Sequence, residues 1–113
     1  SNGANLITII TNDGWWGNTP GHKQHQLYAR LRAIETRTWV VRSANTGISC
    51  FIDPSGTVID PQPWWTESVI KHQLPAVQNK TFFVRYGDSL SKAALIITAL
   101  IWLVVLYKRF SNK

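Results

Sequence analysis

A mixed α/β segment followed by one membrane-spanning helix is the fold class this sequence predicts. Three observations predict it. A β-branched run, Leu6-Ile7-Thr8-Ile9-Ile10-Thr11, stands near the start. A helical pattern follows from His22 to Thr36, and further strand-like runs come after it. Ala93 to Tyr107 then carries no charge and, before the closing Tyr, a single hydroxyl, Thr98.

The first run is bounded by Asn5 and by the turn residues Asn12-Asp13-Gly14. Its unbroken apolar character predicts a strand buried on both faces, as in a covered sheet. Trp15-Trp16-Gly17-Asn18-Thr19-Pro20-Gly21 is punctuated as a loop and carries two adjacent Trp. In the helix, Leu27, Tyr28, Leu31 and Ile34 share one stripe at three- to four-residue spacing. Lys23, Arg30 and Arg37 lie off it, and Arg32 and Glu35 are spaced to pair on the surface. Thr38 to Arg42 reads as a strand and Ser43 to Gly47 as a polar turn. Ile48–Ile52 and Thr57–Ile59 predict a hairpin around Asp53-Pro54-Ser55-Gly56. Pro61, Pro63, Trp64 and Trp65 mark an extended loop, Glu67–Leu74 is expected as a further strand, and residues 75–80 read as irregular.

The apolar tail needs a length check. Fifteen residues from Ala93 to Tyr107 span about 22 Å as a helix, short of a hydrocarbon core of about 30 Å. Leu90 to Phe110 reaches about 31 Å if Lys92, Lys108 and Arg109 snorkel outward. Phe82, Phe83 and Tyr86 on one side, with Tyr107 and Phe110 on the other, suit an interfacial aromatic belt. Lys80, Arg85 and Lys92 precede the span and Lys108, Arg109 and Lys113 follow it, so local charge does not orient it. Without the tail, roughly 90 residues remain, enough for one small domain with a modest core.

The 113 residues include no Met, and Ser1-Asn2-Gly3-Ala4 reads as a helix end with a Gly cap. The chain is therefore expected to begin in mid-domain. Twelve Lys and Arg against six Asp and Glu give a net charge of +6. The charges are scattered without a run of five, which fits a solvated surface and membrane flanks and predicts no nucleic-acid partner. Cys50 is the only cysteine, which excludes an internal disulfide and a Cys-rich metal site.

Chemistry concentrates at the first strand-to-loop junction, where sites in α/β sheets usually sit. Asn12 and Asp13 offer amide and carboxylate groups there, and Trp15 and Trp16 offer large apolar faces for an acyl chain or a membrane interface. These four are the expected substrate contacts; a purely structural turn with inward-packed Trp is the competing reading. Cys50 could be mistaken for a nucleophile, but it lies in an apolar strand without an elbow and reads as structural. His22 and His25 lack a third ligand, so no metal is expected and a surface or helix-start role is. Glu35 reads as a structural partner of Arg32. Trp64 and Trp65 read as core or rim packing, with a lipid-facing contact as the alternative.

The order of these motifs carries a resemblance. Ile-Thr-Asn-Asp-Gly-Trp-Trp-Gly (residues 10–17), Ala-Arg-Leu-Arg-Ala-Ile-Glu (29–35) and Asn-Thr-Gly-Ile-Ser (45–49) before a hairpin resemble the C-terminal half of the nitrilase superfamily. With the terminal apolar helix, they resemble in particular the apolipoprotein N-acyltransferase family within it. The resemblance implies a partial nitrilase-like α-β-β-α sandwich over residues 1–88, followed by one C-terminal transmembrane helix over 89–110 and a cytoplasmic tail over 111–113. It implies a phospholipid acyl donor, an apolipoprotein N-terminus as acceptor, the membrane as partner, and no cofactor. It also implies a Cys nucleophile, a Glu base and a Lys supporting the oxyanion. All three lie upstream of the Asn-Asp-Gly-Trp segment in that family, so these residues alone are expected to be inactive. The helix would return the chain to the cytoplasm, leaving Lys108, Arg109 and Lys113 inside, and the tail is expected to hold the Trp loops near the bilayer. A membrane-tethered nitrilase-type amidase and a non-catalytic tail-anchored binding module are the alternatives.

Overall fold

The computed structural model describes residues 3–76 and 80–111. The expected helix end at residues 1–4, the irregular 75–80 stretch and the 111–113 tail fall partly outside them. Four strands form one sheet in the order β1-β2-β3-β4: β1 (Leu6–Thr11), β2 (Trp39–Ala44), β3 (Cys50–Ile52) and β4 (Val58–Ile59). β1 and β2 are parallel in the register Leu6↔Trp39 to Thr11↔Ala44. Adjacent parallel strands need a long crossover, and helix α1 (Pro20–Thr36) supplies it.

The local chemistry sets the bounds of α1. Thr19 caps its start, with Pro20 in the first turn where a missing N–H costs nothing. Arg37 ends it in a left-handed conformation, its amide bonded to the Ala33 carbonyl. Arg32 and Glu35 pair at 2.6 Å on the exposed surface, as their spacing predicts.

The stripe that faces the sheet is not the one expected. His22, Gln26, Ala29 and Ala33 are buried, whereas Leu27, Tyr28, Leu31 and Ile34 are 39–66% exposed. Both stripes satisfy helical spacing, so the period alone does not choose between them. Two alanines let the helix backbone approach the sheet, and the strands supply the bulk: Val40, Cys50 and Ile52 join Ala29 and Ala33 in the core, flanked by Ile7, Ile9, Ile48 and Val58.

Three further expectations change. β1 is an edge strand whose exposure alternates, leaving Leu6 and Ile10 open, because the described residues place nothing over that face. β2 runs on to Ala44 through residues expected to turn, since β1 continues to pair with it. Glu67–Leu74 forms no strand: the segment crosses the sheet face opposite α1 and sets the His72 ring against Trp39 and Phe51, at 5.8 and 5.4 Å. The hairpin forms as expected; the Asp53 carboxylate accepts from the Ser55 and Thr57 amides at 2.8 Å each.

Beyond residue 80, Thr81 caps a short helix α2 (Phe82–Tyr86) and also donates to the Glu35 carbonyl at 2.6 Å. The chain turns at Gly87, which has a φ of +65°, into helix α3 (Ser89–Ser111). Asp88 caps α3 by accepting from the Ser91 amide and hydroxyl. Twenty-three residues reach about 34 Å, and the helix is long and apolar enough to cross a membrane. No residue of it is buried against the rest of the chain. Thr98 returns its hydroxyl to the Ala94 carbonyl at 2.8 Å, which satisfies a polar group that a bilayer would otherwise penalise.

Candidate functional site

The loop after β1 is built on a buried ion pair. Asp13 and Arg42 have fully buried side chains, and an Arg42 Nη2 donates to Asp13 Oδ2 at 2.5 Å. Arg42 reaches there because it alternates with Val40 on the α1 side of β2, directly across from Cys50. Its Nε donates to the Ile48 carbonyl at 3.1 Å. The other Asp13 oxygen accepts from Thr11 Oγ1 at 3.1 Å and bonds His25 Nδ1 at 2.9 Å. Burial alone would raise the Asp13 carboxyl, but the His25 bond, the Arg42 charge and the Thr11 hydroxyl hold it below its ordinary value. A methyl group at Gly47 would overlap this carboxylate, so that position needs glycine.

Above this pair the loop is held by Asn12. Its side-chain oxygen accepts from the Gly14 amide and from Thr46 Oγ1, both at 3.1 Å. Gly14–Trp16 forms one 3₁₀ turn, closed at Gly17, which has a φ of +54°. Trp16 is partly held: its ring lies on Gly21 and tilts against His25 at 5.2 Å. Trp15 is 82% exposed. An exposed Trp on a loop whose base is fixed presents apolar area at low entropic cost.

A second aromatic loop adjoins the first. The Trp65 amide donates to the Thr46 carbonyl at 3.3 Å, so Thr46 ties both loops together. Trp64 stacks on buried His22 at 5.4 Å and tilts against Trp65 at 5.0 Å. Trp65 itself sits at a φ of +62°, a backbone region that costs a bulky residue about 1–3 kcal/mol. Trp15, Trp16, Trp64 and Trp65 thus gather around the N-terminal end of α1.

The sequence places Asn12, Asp13, Trp15 and Trp16 together, and the structure divides them by role. Asn12 and Trp15 face solvent, Trp16 is half-held, and Asp13 points inward with both oxygens engaged. His22, expected in a surface or helix-start role, lies in the first turn of α1 but is only 2% exposed, because Trp64 covers it. Cys50 is buried; desolvation pushes its thiol up, only partly offset by Gln26 and Arg42. A thiol in that state is a poor nucleophile at neutral pH. Sequence reasoning missed Arg42 and His25. The available signal was an arginine at the end of an apolar strand, within reach of an Asn-Asp turn.

Comparison with known proteins assigns the fold to a family. The carbon-nitrogen hydrolase profile matches residues 1–80. The chain belongs to the carbon-nitrogen hydrolase family. Every residue of the two aromatic loops and of the Asp13–Arg42–His25 cluster lies within the stretch shared with carbon-nitrogen hydrolases, and α3 lies beyond it. Curated relatives extend the likeness. A protein of Chlorobaculum tepidum named apolipoprotein N-acyltransferase is 36% identical over 107 residues, 95% of this chain and 20% of that protein. Namesakes from Agrobacterium fabrum and Bradyrhizobium diazoefficiens are 46% identical over 80 residues and 39% over 107. The chain spans about a fifth or less of the length of these relatives.

Proposed function

We propose that this chain is the C-terminal part of an apolipoprotein N-acyltransferase of the bacterial inner membrane. Residues 1–88 would belong to an extracytoplasmic nitrilase-like domain, 89–110 to its last transmembrane helix and 111–113 to the cytoplasm. One observation carries the reading. The carbon-nitrogen hydrolase match stops at residue 80, whereas similarity to proteins named apolipoprotein N-acyltransferase extends over 107 residues, 95% of the chain. A likeness of that extent takes in most of the apolar helix, which a soluble amidase has no use for.

The chemistry follows from the family resemblance. A cysteine thiolate attacks a phospholipid ester carbonyl, so that a C–S bond forms, the ester C–O bond breaks, and the lysophospholipid alkoxide leaves with a proton. The free amine of a diacylglyceryl-cysteine then attacks the thioester. A C–N bond forms, the C–S bond breaks, the thiolate is restored and the amine proton passes to the base. The nucleophile, base and oxyanion lysine lie outside these residues, and the buried, raised thiol of Cys50 supports leaving it out.

This chain's contribution is substrate positioning. Trp15 and Trp16 bear on the acyl chain, Asn12 fixes the loop and contacts substrate at its rim, and Asp13 acts from beneath by holding the turn. The whole protein, reconstituted in phospholipid vesicles with a diacylglyceryl-cysteine peptide, is expected to transfer a fatty acyl group to the peptide's N-terminus. Trp15→Ala should lower that rate about tenfold, roughly 1.4 kcal/mol of transition-state binding, without shifting the unfolding midpoint. Hydrolysis of small amides without acyl transfer would favour the amidase instead. Wild-type turnover by the Trp15 variant would remove the loop from the site.

A further inference from the structure

Next to the Asn12 loop lies a groove of about 410 Å³, lined by Asn45, Thr46, Trp65, Thr66 and Glu67. Three observations bear on what it takes. Trp65 is 65% exposed and held in a left-handed backbone by the bond from its amide to Thr46, so the ring is presented rather than packed away. Glu67 makes no ion pair or hydrogen bond among the described residues, although the chain as a whole carries a net charge of +6. The remaining lining is a side-chain amide and two threonines, without a cationic group. An aromatic face beside a free carboxylate and neutral acceptors is the chemistry that binds an ammonium group.

We infer that this groove binds a primary ammonium group, seated over the Trp65 ring against the Glu67 carboxylate. The inference rests on the acyl-transfer reading for its place in a reaction, and it deepens that reading by assigning a polar subsite beside the acyl-facing Trp15 and Trp16. Thr46 joins the two: its hydroxyl holds Asn12 and its carbonyl holds Trp65. Two sources offer the same chemistry: the ethanolamine headgroup of a phospholipid donor, and the α-amino group of an acceptor peptide, which is largely protonated at neutral pH with a pKa of about 8.

Binding can be read without turnover. The whole protein in detergent micelles, labelled with 5-fluorotryptophan, gives a fluorine resonance for Trp65 that Trp65→Phe identifies. Titration with glycerophosphoethanolamine, with a short peptide bearing a free N-terminus, and with ammonium-free glycerophosphoglycerol tests the groove. An ammonium-bearing ligand should move the Trp65 resonance, and glycerophosphoglycerol should not. Glu67→Gln should raise half-saturation at least fivefold, and Glu67→Asp by less. Response to the headgroup alone or to the peptide alone supports the inference and identifies the source. A resonance unmoved by both, or moved equally by glycerophosphoglycerol, overturns it, as does unchanged binding in Glu67→Gln. Intact ammonium binding in a protein that transfers no acyl group would defeat the acyl-transfer reading and leave the subsite standing.

Discussion

The two ends of α1 are built on opposite physical principles. At its N-terminal end, a desolvated carboxylate and guanidinium, joined by a partly exposed imidazole, hold an aromatic loop from below. At its C-terminal end, Thr81 seats α2 against the Glu35 carbonyl, and α3 departs with no buried residue. The first end is stabilised by pairing charges that the fold has removed from water. The second is completed only by a surrounding that welcomes apolar surface. Seventeen residues make α1 about 25 Å long. The tail therefore joins the domain at the end of α1 away from the Trp loops, and holding them near a bilayer, as the sequence reading expects, requires α1 to lie along the membrane rather than stand on it.

The largest effect belongs to the loop end. Arg42→Ala leaves the Asp13 carboxylate buried without its charge partner, a loss of about 3–5 kcal/mol. The double variant Asp13→Asn, Arg42→Met should cost distinctly less than the sum of its single changes, because it removes both charges. Unfolding midpoints of the detergent-solubilised protein measure this, and strictly additive costs would show that the pair is not coupled. The same site predicts an acid sensitivity. Asp13 has a lowered pKa in the folded state, so its contribution is present above the unfolded value of about 3.9 and is lost as pH falls through the folded value. Wild-type protein should therefore lose stability below about pH 4, with a shallower loss in Asp13→Asn.

The tail end should respond differently to charge. Ile101→Arg places a cation near the middle of α3 and costs about 2.5–3.5 kcal/mol of membrane insertion. Fused to a soluble carrier as its sole span, α3 with this change should be retained less on alkaline extraction of membranes than wild-type α3, while in the whole protein the domain's unfolding midpoint stays within about 0.5 kcal/mol of wild type. Equal retention would mean that α3 is not within the bilayer. A destabilised domain would mean that the two ends are not independent.

These two ends also differ in how far the sequence foretold them. The α3 span was legible because hydropathy and length are properties of one contiguous stretch, and so were the hairpin and the crossover helix. The buried face of α1 was not, because Leu27, Tyr28, Leu31 and Ile34 form as good a stripe as His22, Gln26, Ala29 and Ala33, and only the sheet decides which is covered. The strand expected at Glu67–Leu74 failed for a related reason: a strand needs a partner, and this segment pairs with neither sheet edge but crosses the sheet face, where His72 meets Trp39 and Phe51. At the site, the Asn12–Trp16 loop was visible as a motif. Its support was not, since Asp13 meets Arg42 from 29 residues away and the pairing depends on the parallel register of β1 and β2. Trp65 could be read as an aromatic, but its left-handed backbone comes from a bond to Thr46 that no local pattern encodes.

The smallest effect tests whether the ends communicate at all. Thr81 has two bonds: its hydroxyl accepts from the Val84 amide as the cap of α2, and donates to Glu35 at the end of α1. Thr81→Ala removes both, for about 1 kcal/mol at a cap of this kind. Thr81→Asn can still cap α2 but is unsuited by shape to repeat the hydroxyl's bond to Glu35. If α2 serves only as a leader to α3, Asn should restore most of the loss. If Thr81 fixes how the domain sits on its anchor, Asn should restore helix stability but not acyl transfer from vesicle-borne donor, and transfer from detergent-dispersed donor should be unaffected in both variants. The second outcome is the one expected, because the hydroxyl bond at 2.6 Å is the short polar tie between a domain held by internal charges and a helix with no buried residue.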